Sequence, residues 1–518
     1  MAKTLTIGSL QIDYSNYKDA AREFSMPYSF FLNSIFDNRQ DLLGSICFYD
    51  IETDDKENFT LGCVYSSKDN KVATFTDPLV MVEFINSFDI ACGFNCYRFD
   101  NEVLNKICPD KFRNIGMRNF KLNLFKDTIN IDLYPLYNLW KPANKTHRLD
   151  QMFIDLNYPR EYDLNNKGEK CKEDVLILNE FWPYAKQILD FIFSNFKIGY
   201  IDICVVPIGR SSKIRRWFLQ TWLIQRGILP RLVRRNSDKK ASFFTYAKPG
   251  FYKNINVFDV KSAYPNTVIN LNSTLYEGGD LAEYMQFMIQ QRSDNSDIQL
   301  FIKFICNSLI GDMGSNDGLL RDKKIMVKVW NTFKKRMINY VDKVGLDNII
   351  YSYTDCIYTP LNKVRKFPLY DIRLKQKFKW VIIYNVNRLL GETENGIFKT
   401  HFTREVGQLK LYEYLNREVD KILKNPKERR KFLLNPKLKV DLKTLEDKYF
   451  KIVIRKNSNI CTSPAYLDIW SELRYGFNDL FLGKNKIVKD RSKIHYPTYN
   501  KYIKNYLKLF KVDKEWLK

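Results

Sequence analysis

Phe258-Asp259-Val260-Lys261-Ser262-Ala263-Tyr264-Pro265 follows directly on Ile255–Val260, whose alternation of apolar and polar residues reads as a β-strand with Asp259 at its end. A second aspartate lies downstream in Tyr353-Thr354-Asp355-Cys356, between Asn348–Tyr351 and Ile357–Thr359, which read as two strands of a hairpin. Between them, Met285–Leu309 reads as helical, interrupted by the polar stretch Arg292–Asp297. It carries Lys303-Phe304-Ile305-Cys306-Asn307-Ser308-Leu309-Ile310-Gly311, in which Lys303 and Asn307 are four apart and share a helix face. Upstream come Phe48-Tyr49-Asp50-Ile51-Glu52, then Gly93-Phe94-Asn95-Cys96-Tyr97-Arg98-Phe99-Asp100, then Lys170-Cys171-Lys172-Glu173-Asp174. Each piece alone turns up often by chance; their fixed order does not.

Length and composition frame these pieces. A chain of 518 residues is too long for one core and suggests roughly three to four domains. Hydrophobic content of 45% and aromatic content of 15% suffice for packed interiors and exclude a disordered chain. A formal charge of +24 calls for a polyanionic partner, nucleic acid by default, against the blander reading of a solvated basic surface. Ten cysteines without a C-x-x-C pair and only three histidines argue against a zinc site or a disulfide scaffold and favour a reducing cytoplasm. No basic-then-apolar leader opens the chain and no run approaches the apolar length of a membrane span, so no membrane partner is expected.

Along the chain, residues 1 to about 45 read as an arm. Strands are expected at Ser45–Tyr49, Thr60–Tyr65, Lys71–Phe75, Ile90–Phe94 and Thr128–Tyr134, and helices at Leu79–Phe88 and from Leu149. Strands alternating with helices imply an α/β core over residues 46–199. Residues 200–250 read as an arginine-rich connector, with Arg210, Arg215, Arg216, Arg226, Arg231, Arg234 and Arg235. From Glu418 the chain reads as helical and charged, and Lys484–Lys518 as strongly basic with interleaved tyrosines.

Asp50 and Glu52 sit two apart on a strand, so both project from one face. Asp174 opens the amphipathic stretch Asp174-Val175-Leu176-Ile177-Leu178 and is expected to begin a helix. Taken singly, Asp100 also reads as a helix N-cap and Asp174 as a solvated helix residue. Converging carboxylates of this kind suit hydrolysis of a phosphodiester by paired divalent ions.

Together these segments resemble a family B DNA polymerase, a compact viral or phage-like member, over roughly residues 46–400. The resemblance implies a ribonuclease H-like 3′–5′ exonuclease followed by palm, fingers and thumb, an α/β and α+β multidomain chain. Its implied boundaries are an arm 1–45, exonuclease 46–199, connector 200–250, palm 251–275 and 313–415, fingers 276–312 and thumb 416–518. It implies two Mg²⁺ per active site, replaceable by Mn²⁺, held by Asp50, Glu52, Asp100 and Asp174 for proofreading and by Asp259, Val260 and Asp355 for polymerisation. It implies Asn95 and Phe99 on the single-stranded 3′ end, and Ser262, Tyr264, Lys303 and Asn307 on the nucleotide, Tyr264 excluding a 2′-OH. Arg292 reads equally as a second phosphate ligand or a solvated loop arginine, and Tyr264 also reads as an ordinary core aromatic. Lys484, Lys486 and the basic residues after them would track duplex phosphates. The implied partners are primer–template DNA, dNTPs and a helicase, clamp or single-strand-binding protein, for a monomer in the host cytoplasm.

The chain departs from the family pattern at five points, one of them the absence of the tyrosine-glycine-glycine motif expected near 236–246, although Lys248-Pro249-Gly250-Phe251-Tyr252 just afterwards fits. Lys170 stands where a tyrosine usually orients the attacking water, with Glu169 or Tyr162 as substitutes. Ile310 replaces a tyrosine, Tyr353 replaces the first aspartate of D-T-D, and Asn387–Gly391 lacks the usual lysine and tyrosine of the primer-grip segment. The interval from Asp259 to Lys303 leaves barely room for two short helices, so short fingers are expected. A decayed DNA-binding subunit and an exonuclease alone are the competing readings; reverse transcriptase is disfavoured because paired aspartates after a tyrosine are missing.

Overall fold

The computed structural model describes residues 3–7, 10–14, 42–116, 121–142, 148–159, 166–196, 211–228, 233–276, 278–295, 297–315, 321–386, 388–402, 410–441, 452–455, 460–461, 485–488, 496–512 and 514–517. Both units into which the chain divides are discontinuous in sequence. The first comprises Met1–Ser242 and Ser262–Phe333, the second Phe243–Lys261 and Lys334–Lys518.

In the first unit, an N-terminal hairpin pairs β1 (Lys3–Ile7) with β2 (Leu10–Tyr14). The main sheet uses β3 (Ile46–Thr53), β4 (Phe59–Ser66), β5 (Lys71–Phe75) and β6 (Ile90–Gly93). After the β7–β8 hairpin (Phe112–Gly116, Lys121–Phe125), β9 (Ile129–Asp132) completes it. The order is β5-β4-β3-β6-β9, antiparallel through β5, β4 and β3 and parallel from β3 through β6 to β9. Central β3 is flanked on both edges, and Cys47, Phe48 and Tyr49 are fully buried. That explains why it reads as a near-continuous apolar run rather than an alternation.

Helices cover this sheet. Asp77 caps α1 (Pro78–Asn86), its carboxylate accepting from Leu79 N–H at 2.8 Å with proline at the first turn. Next come α2 (Asp100–Ile107), α3 (Leu133–Trp140) and α4 (Leu149–Asp155). Helix α5 (Lys167–Phe196) buries Val175, Leu178, Phe181, Ala185, Leu189, Ile192 and Phe196, a stripe at three- and four-residue spacing. It begins two turns before Asp174, correcting the expected start. The polar stretch ahead of Asp174 is helical because its charges pair along the helix, Lys172 with Glu169 at 3.0 Å and Lys170 with Asp174 at 3.4 Å.

The expected connector is corrected in the same way. Residues 211–224 form α6 (Ser211–Ile224), which buries Trp217, Phe218, Leu219, Trp222, Leu223 and Ile224. Arg215 and Arg216 are buried with them, and Arg215 grips Asp312 through its fork, Nη2 to Oδ2 at 2.7 Å and Nε to Oδ2 at 3.0 Å. Arg210 and Arg231 lie outside the described residues.

The returning segment supplies α7 (Ala263–Asn270), α8 (Asp280–Asp294) and α9 (Gln299–Gly314). Helix α8 is 15 residues long, more than the short helix expected there. The unit boundary falls within α10 (Lys323–Val344). Phe301 of α9 is fully buried, its ring edge-on to Phe191 at 6.0 Å and Phe218 at 6.1 Å. One continuous hydrophobic core therefore joins residues 42–233 to 268–329.

The second unit is built on a seven-stranded antiparallel sheet. It contains β10 (Thr245–Ala247), β11 (Gly250–Val260), β12 (Tyr351–Tyr353), β13 (Cys356–Thr359), β14 (Ile372–Asn385), β15 (Arg388–Thr393) and β16 (Phe398–Phe402). The order is β10-β12-β13-β11-β14-β15-β16. The hairpin around Thr354 is shifted from its expected bounds, since Leu346–Asn348 forms a single 3₁₀ turn before β12. Alternation along β14 serves two cores: Val381 and Ile383 pack with Ile255, Val257 and Tyr351, while Trp380 and Ile382 face the other side. There α11 (Lys410–Lys424), α12 (Pro426–Leu434) and α13 (Tyr496–Lys508) contribute Leu415, Val419, Phe432, Ile503 and Tyr506. Strands β17 (Ile452–Arg455), β18 (Ile460–Cys461) and β19 (Asn485–Val488) form a small separate sheet where only helix was expected. No helix among the described residues is long and apolar enough to cross a membrane.

If Phe301 locks the two segments of the first unit together, Phe301→Ala should lower stability by about 3–5 kcal/mol. Denaturant unfolding checks this, and a loss below about 1 kcal/mol would show that the segments do not depend on this contact.

Candidate active site

The first carboxylate centre grows from the end of β3. Asp50 and Glu52 leave the strand on one face, and Asp174 reaches them from α5. Oxygens of Asp50, Glu52 and Asp174 all lie within 4.8 Å of one another. Asp100, the first residue of α2 and 3% exposed, is not among these three. Its charge nevertheless acts on Asp50. Burial pushes Asp100 up to about 7, opposed by nearby backbone N–H groups, with Asp132 and Glu52 adding to the rise. Burial likewise raises Asp50 well above the carboxylate range, reinforced by Asp100 and Asp174 and opposed by Lys170.

Lys170 occupies the centre of this group. Its Nζ donates to Glu52 Oε1 in a close contact and lies 3.4 Å from Asp174 Oδ2. Burial works against its charge, but the Glu52 hydrogen bond and the neighbouring carboxylates raise its pKa, so it stays an ammonium ion. Glu169 pairs with Lys172 at 3.0 Å, away from the carboxylates, and Tyr162 lies outside the described residues.

A buried polar network fixes the backbone beneath the carboxylates. Tyr49 donates its hydroxyl to Asn101 Oδ1 at 2.7 Å and accepts from Asn130 Nδ2 at 2.9 Å. Asn101 Nδ2 closes the ring on Asn130 Oδ1 at 2.5 Å and also reaches the Asn123 carbonyl at 2.7 Å. Tyr49 and Asn101 directly neighbour Asp50 and Asp100, so the network sets where two of the carboxylates emerge. Behind the strand, Cys171 donates its thiol to the Asp50 carbonyl at 3.4 Å. Asp132, buried at the end of β9, accepts from Tyr134 N–H at 3.0 Å and Asn95 N–H at 2.8 Å. It thereby caps α3 and ties down the turn in which Asn95 adopts a left-handed φ of 58°. Phe99 is 37% exposed at the head of α2.

The second centre lies on the sheet of the second unit. Asp259, near the end of β11, pairs in register with Cys356 of β13, and Asp355 occupies the tight turn between β12 and β13. Val260 enters through its backbone, donating N–H to the Asp355 carbonyl at 2.9 Å and locking the turn to β11. Thr354, at a left-handed φ of 57°, donates its hydroxyl to Asp355 Oδ1 at 2.7 Å. Burial raises the Asp355 pKa; the Thr354 hydrogen bond opposes this and the charge of Asp259 adds to it. The two aspartates thus sense each other across adjacent strands.

Lys375 is the residue that reading the sequence missed. The β11–β14 register runs Val257 to Gln376 and then Phe258 to Leu374, which leaves Lys375 as the extra residue of a bulge. A bulge re-aims its side chain, and here Nζ lands 2.9 Å from Asp259 Oδ1. The exposed alternation Arg373, Lys375, Lys377, Lys379 was the available signal.

The remaining residues of interest belong to the first unit. Lys303 and Asn307 are exposed on one face of α9, opposite buried Ile302, Ile305, Cys306, Leu309 and Ile310. Arg292 of α8 donates from Nη1 to Ser262 Oγ at 3.1 Å, and Ser262 holds a left-handed φ of 50° ahead of α7. The Tyr264 ring stacks on Trp330 at 5.4 Å and meets Phe333 edge-on at 5.5 Å. Lys484 lies outside the described residues, and Lys486 is on β19.

The first centre could hold a metal ion, and the second offers two carboxylates of the same kind. Carboxylate oxygens are the donors Mg²⁺ and Mn²⁺ prefer, and Mg²⁺ is commonly held by only one or two protein carboxylates. A divalent cation would add to the lysines in offsetting the repulsion between these buried carboxylates.

No family model matches the chain, and no curated protein matches it. Among solved structures, it is similar to the family B DNA polymerase from the hyperthermophilic archaeon Pyrobaculum calidifontis, with a TM-score of 0.49 and 14% identity, over 80% of this chain and 68% of that one.

Asn101→Leu removes one donor and one acceptor from the buried network and strands Tyr49 and Asn130. A stability loss of about 1–3 kcal/mol is expected in chemical unfolding. A neutral effect would mean that the network does not hold β3 against α2.

Proposed function

We propose that this chain is a template-directed DNA polymerase carrying a 3′–5′ exonuclease. The observation that carries the reading is that carboxylates singled out in the sequence, far apart in the chain, converge into two centres: Asp50, Glu52 and Asp174 in one unit, Asp259 and Asp355 in the other. The net charge of +24 supports a polyanionic partner.

At each centre a divalent ion, when bound, would lower the pKa of an attacking hydroxyl or water and offset charge on the leaving oxygen. In polymerisation Asp259 and Asp355 would hold the divalent ion, with Val260 N–H keeping the Asp355 turn rigid against β11. Lys375 holds Asp259 in one rotamer through its 2.9 Å contact. Lys303 and Arg292 offer positive charge for the triphosphate, as point cation and planar fork respectively. Asn95 and Phe99 contact an unpaired 3′ end, the exposed phenyl ring providing a stacking platform. In the exonuclease Asp50, Glu52 and Asp174 hold the cation, and Asp100 supports them from α2.

Primer extension with labelled primer–template tests both activities. Asp259→Asn or Asp355→Asn should lower extension by several orders of magnitude while duplex binding persists. Asp50→Ala with Glu52→Ala should abolish 3′-end degradation. Near-normal extension by either polymerase-centre variant would sink the assignment in favour of a DNA-binding subunit or an exonuclease alone.

Tyr264 is proposed as the sugar gate, its ring held by Trp330 and Phe333. Tyr264→Ala should weaken discrimination against ribonucleotides by about 1–3 kcal/mol or more, read as the ratio of kcat/KM for dNTP and rNTP. An unchanged ratio would reduce Tyr264 to a packing residue.

A further inference from the structure

We infer that Lys170 is a built-in cation of the exonuclease centre and takes the place of one of two divalent ions, so that this centre binds a single metal ion. The inference rests on the nuclease reading of Asp50, Glu52 and Asp174 and concerns how that site is charged.

The geometry is specific. Lys170 and Asp174 are four apart on α5, on one helix face, and the same ammonium reaches across to Glu52 on β3. It therefore bridges carboxylates from the two elements that build the centre, which is the role of a shared metal ion. Two-metal centres keep their ions about 3.5–4 Å apart and share carboxylates between them. A Mg²⁺ ion sits about 2.0–2.1 Å from its ligand oxygens. An ammonium hydrogen-bonded to Glu52 and 3.4 Å from Asp174 Oδ2 crowds a second ion that would use these same oxygens.

Charge acts in the same direction. The three converging carboxylates carry three negative charges when ionised, and the ammonium reduces the sum to two. One divalent ion neutralises that remainder. Removing the ammonium restores the third charge and reopens the position between Glu52 and Asp174. The neighbouring basic residues are engaged elsewhere, Lys172 with Glu169 at 3.0 Å and Lys167 with the Thr53 carbonyl at 2.6 Å.

Metal counting in the full chain tests the inference. Asp259→Asn and Asp355→Asn first remove the other centre, and Mn²⁺ binding is then counted by electron paramagnetic resonance of the free ion. The Lys170 chain should bind one Mn²⁺, Lys170→Met two, and Lys170→Arg again one. Adding Asp50→Asn and Glu52→Gln should abolish these sites, which assigns them to this centre. Thermal melting gives a second readout: Lys170→Met should melt lower without metal and gain more from Mn²⁺ than the Lys170 chain does, because ammonium and metal compete for one native site. Lys170→Gln serves in the same role if the Met variant does not fold. Two Mn²⁺ ions in the Lys170 chain, or one in both chains, would overturn the inference and leave the nuclease reading standing. No Mn²⁺ at these carboxylates in any variant would overturn both.

Discussion

Carboxylates gathered in a low-dielectric setting repel one another, and the structure is arranged to hold them together in spite of it. At the first centre, burial and mutual repulsion raise Asp50 and Asp100, and Lys170 answers with a fixed positive charge. At the second, Lys375 does the same for Asp259. The surrounding frame must be stiff enough to keep the charges in place. The hydrogen-bonded ring of Tyr49, Asn101 and Asn130 meets that need under the first centre, and the Val260–Asp355 backbone contact meets it in the second.

The two centres reach rigidity differently. The first draws on a strand and a helix, so its geometry depends on how α5 packs over the sheet, which the apolar stripe of that helix decides. The second draws on adjacent antiparallel strands, where the ladder itself fixes the spacing and a single bulge places the lysine. A tertiary contact makes one and sheet register makes the other.

Much of this was legible from residue patterns. Asp50 and Glu52 two apart on an apolar run gave the shared face, and the alternation before Asp259 gave its strand. Lys303 and Asn307 read as sharing one helix face, and the structure has them so, both exposed. What escaped was set by long-range packing. Helix α6 was hidden within what read as an arginine-rich connector, whereas Arg215 is buried against Asp312 from a distant part of the chain. The start of α5 was hidden because its first turns are polar and held by charge pairs. Lys375 was hidden because the basic alternation around it does not reveal which lysine a bulge turns toward Asp259, and the role of Asp132 because its second partner, Asn95, comes from another strand end.

The interrupted first unit has a consequence for how the protein is made. A ribosome delivers α5 and α6 well before α8 and α9, with β10 and β11 of the other unit emerging in between. Until Phe287 and Phe301 leave the exit tunnel, Phe191, Phe196, Phe218 and Trp222 lack the rings that cover them in the finished fold. Strand β11 meanwhile waits for β13 and β14, its neighbours on either side. Nascent domains ordinarily close one after another from the N-terminus, but this chain carries two half-built cores at once. Its sticky surfaces are exposed longest in the middle of synthesis, and that is the interval in which a chaperone would have most to shield.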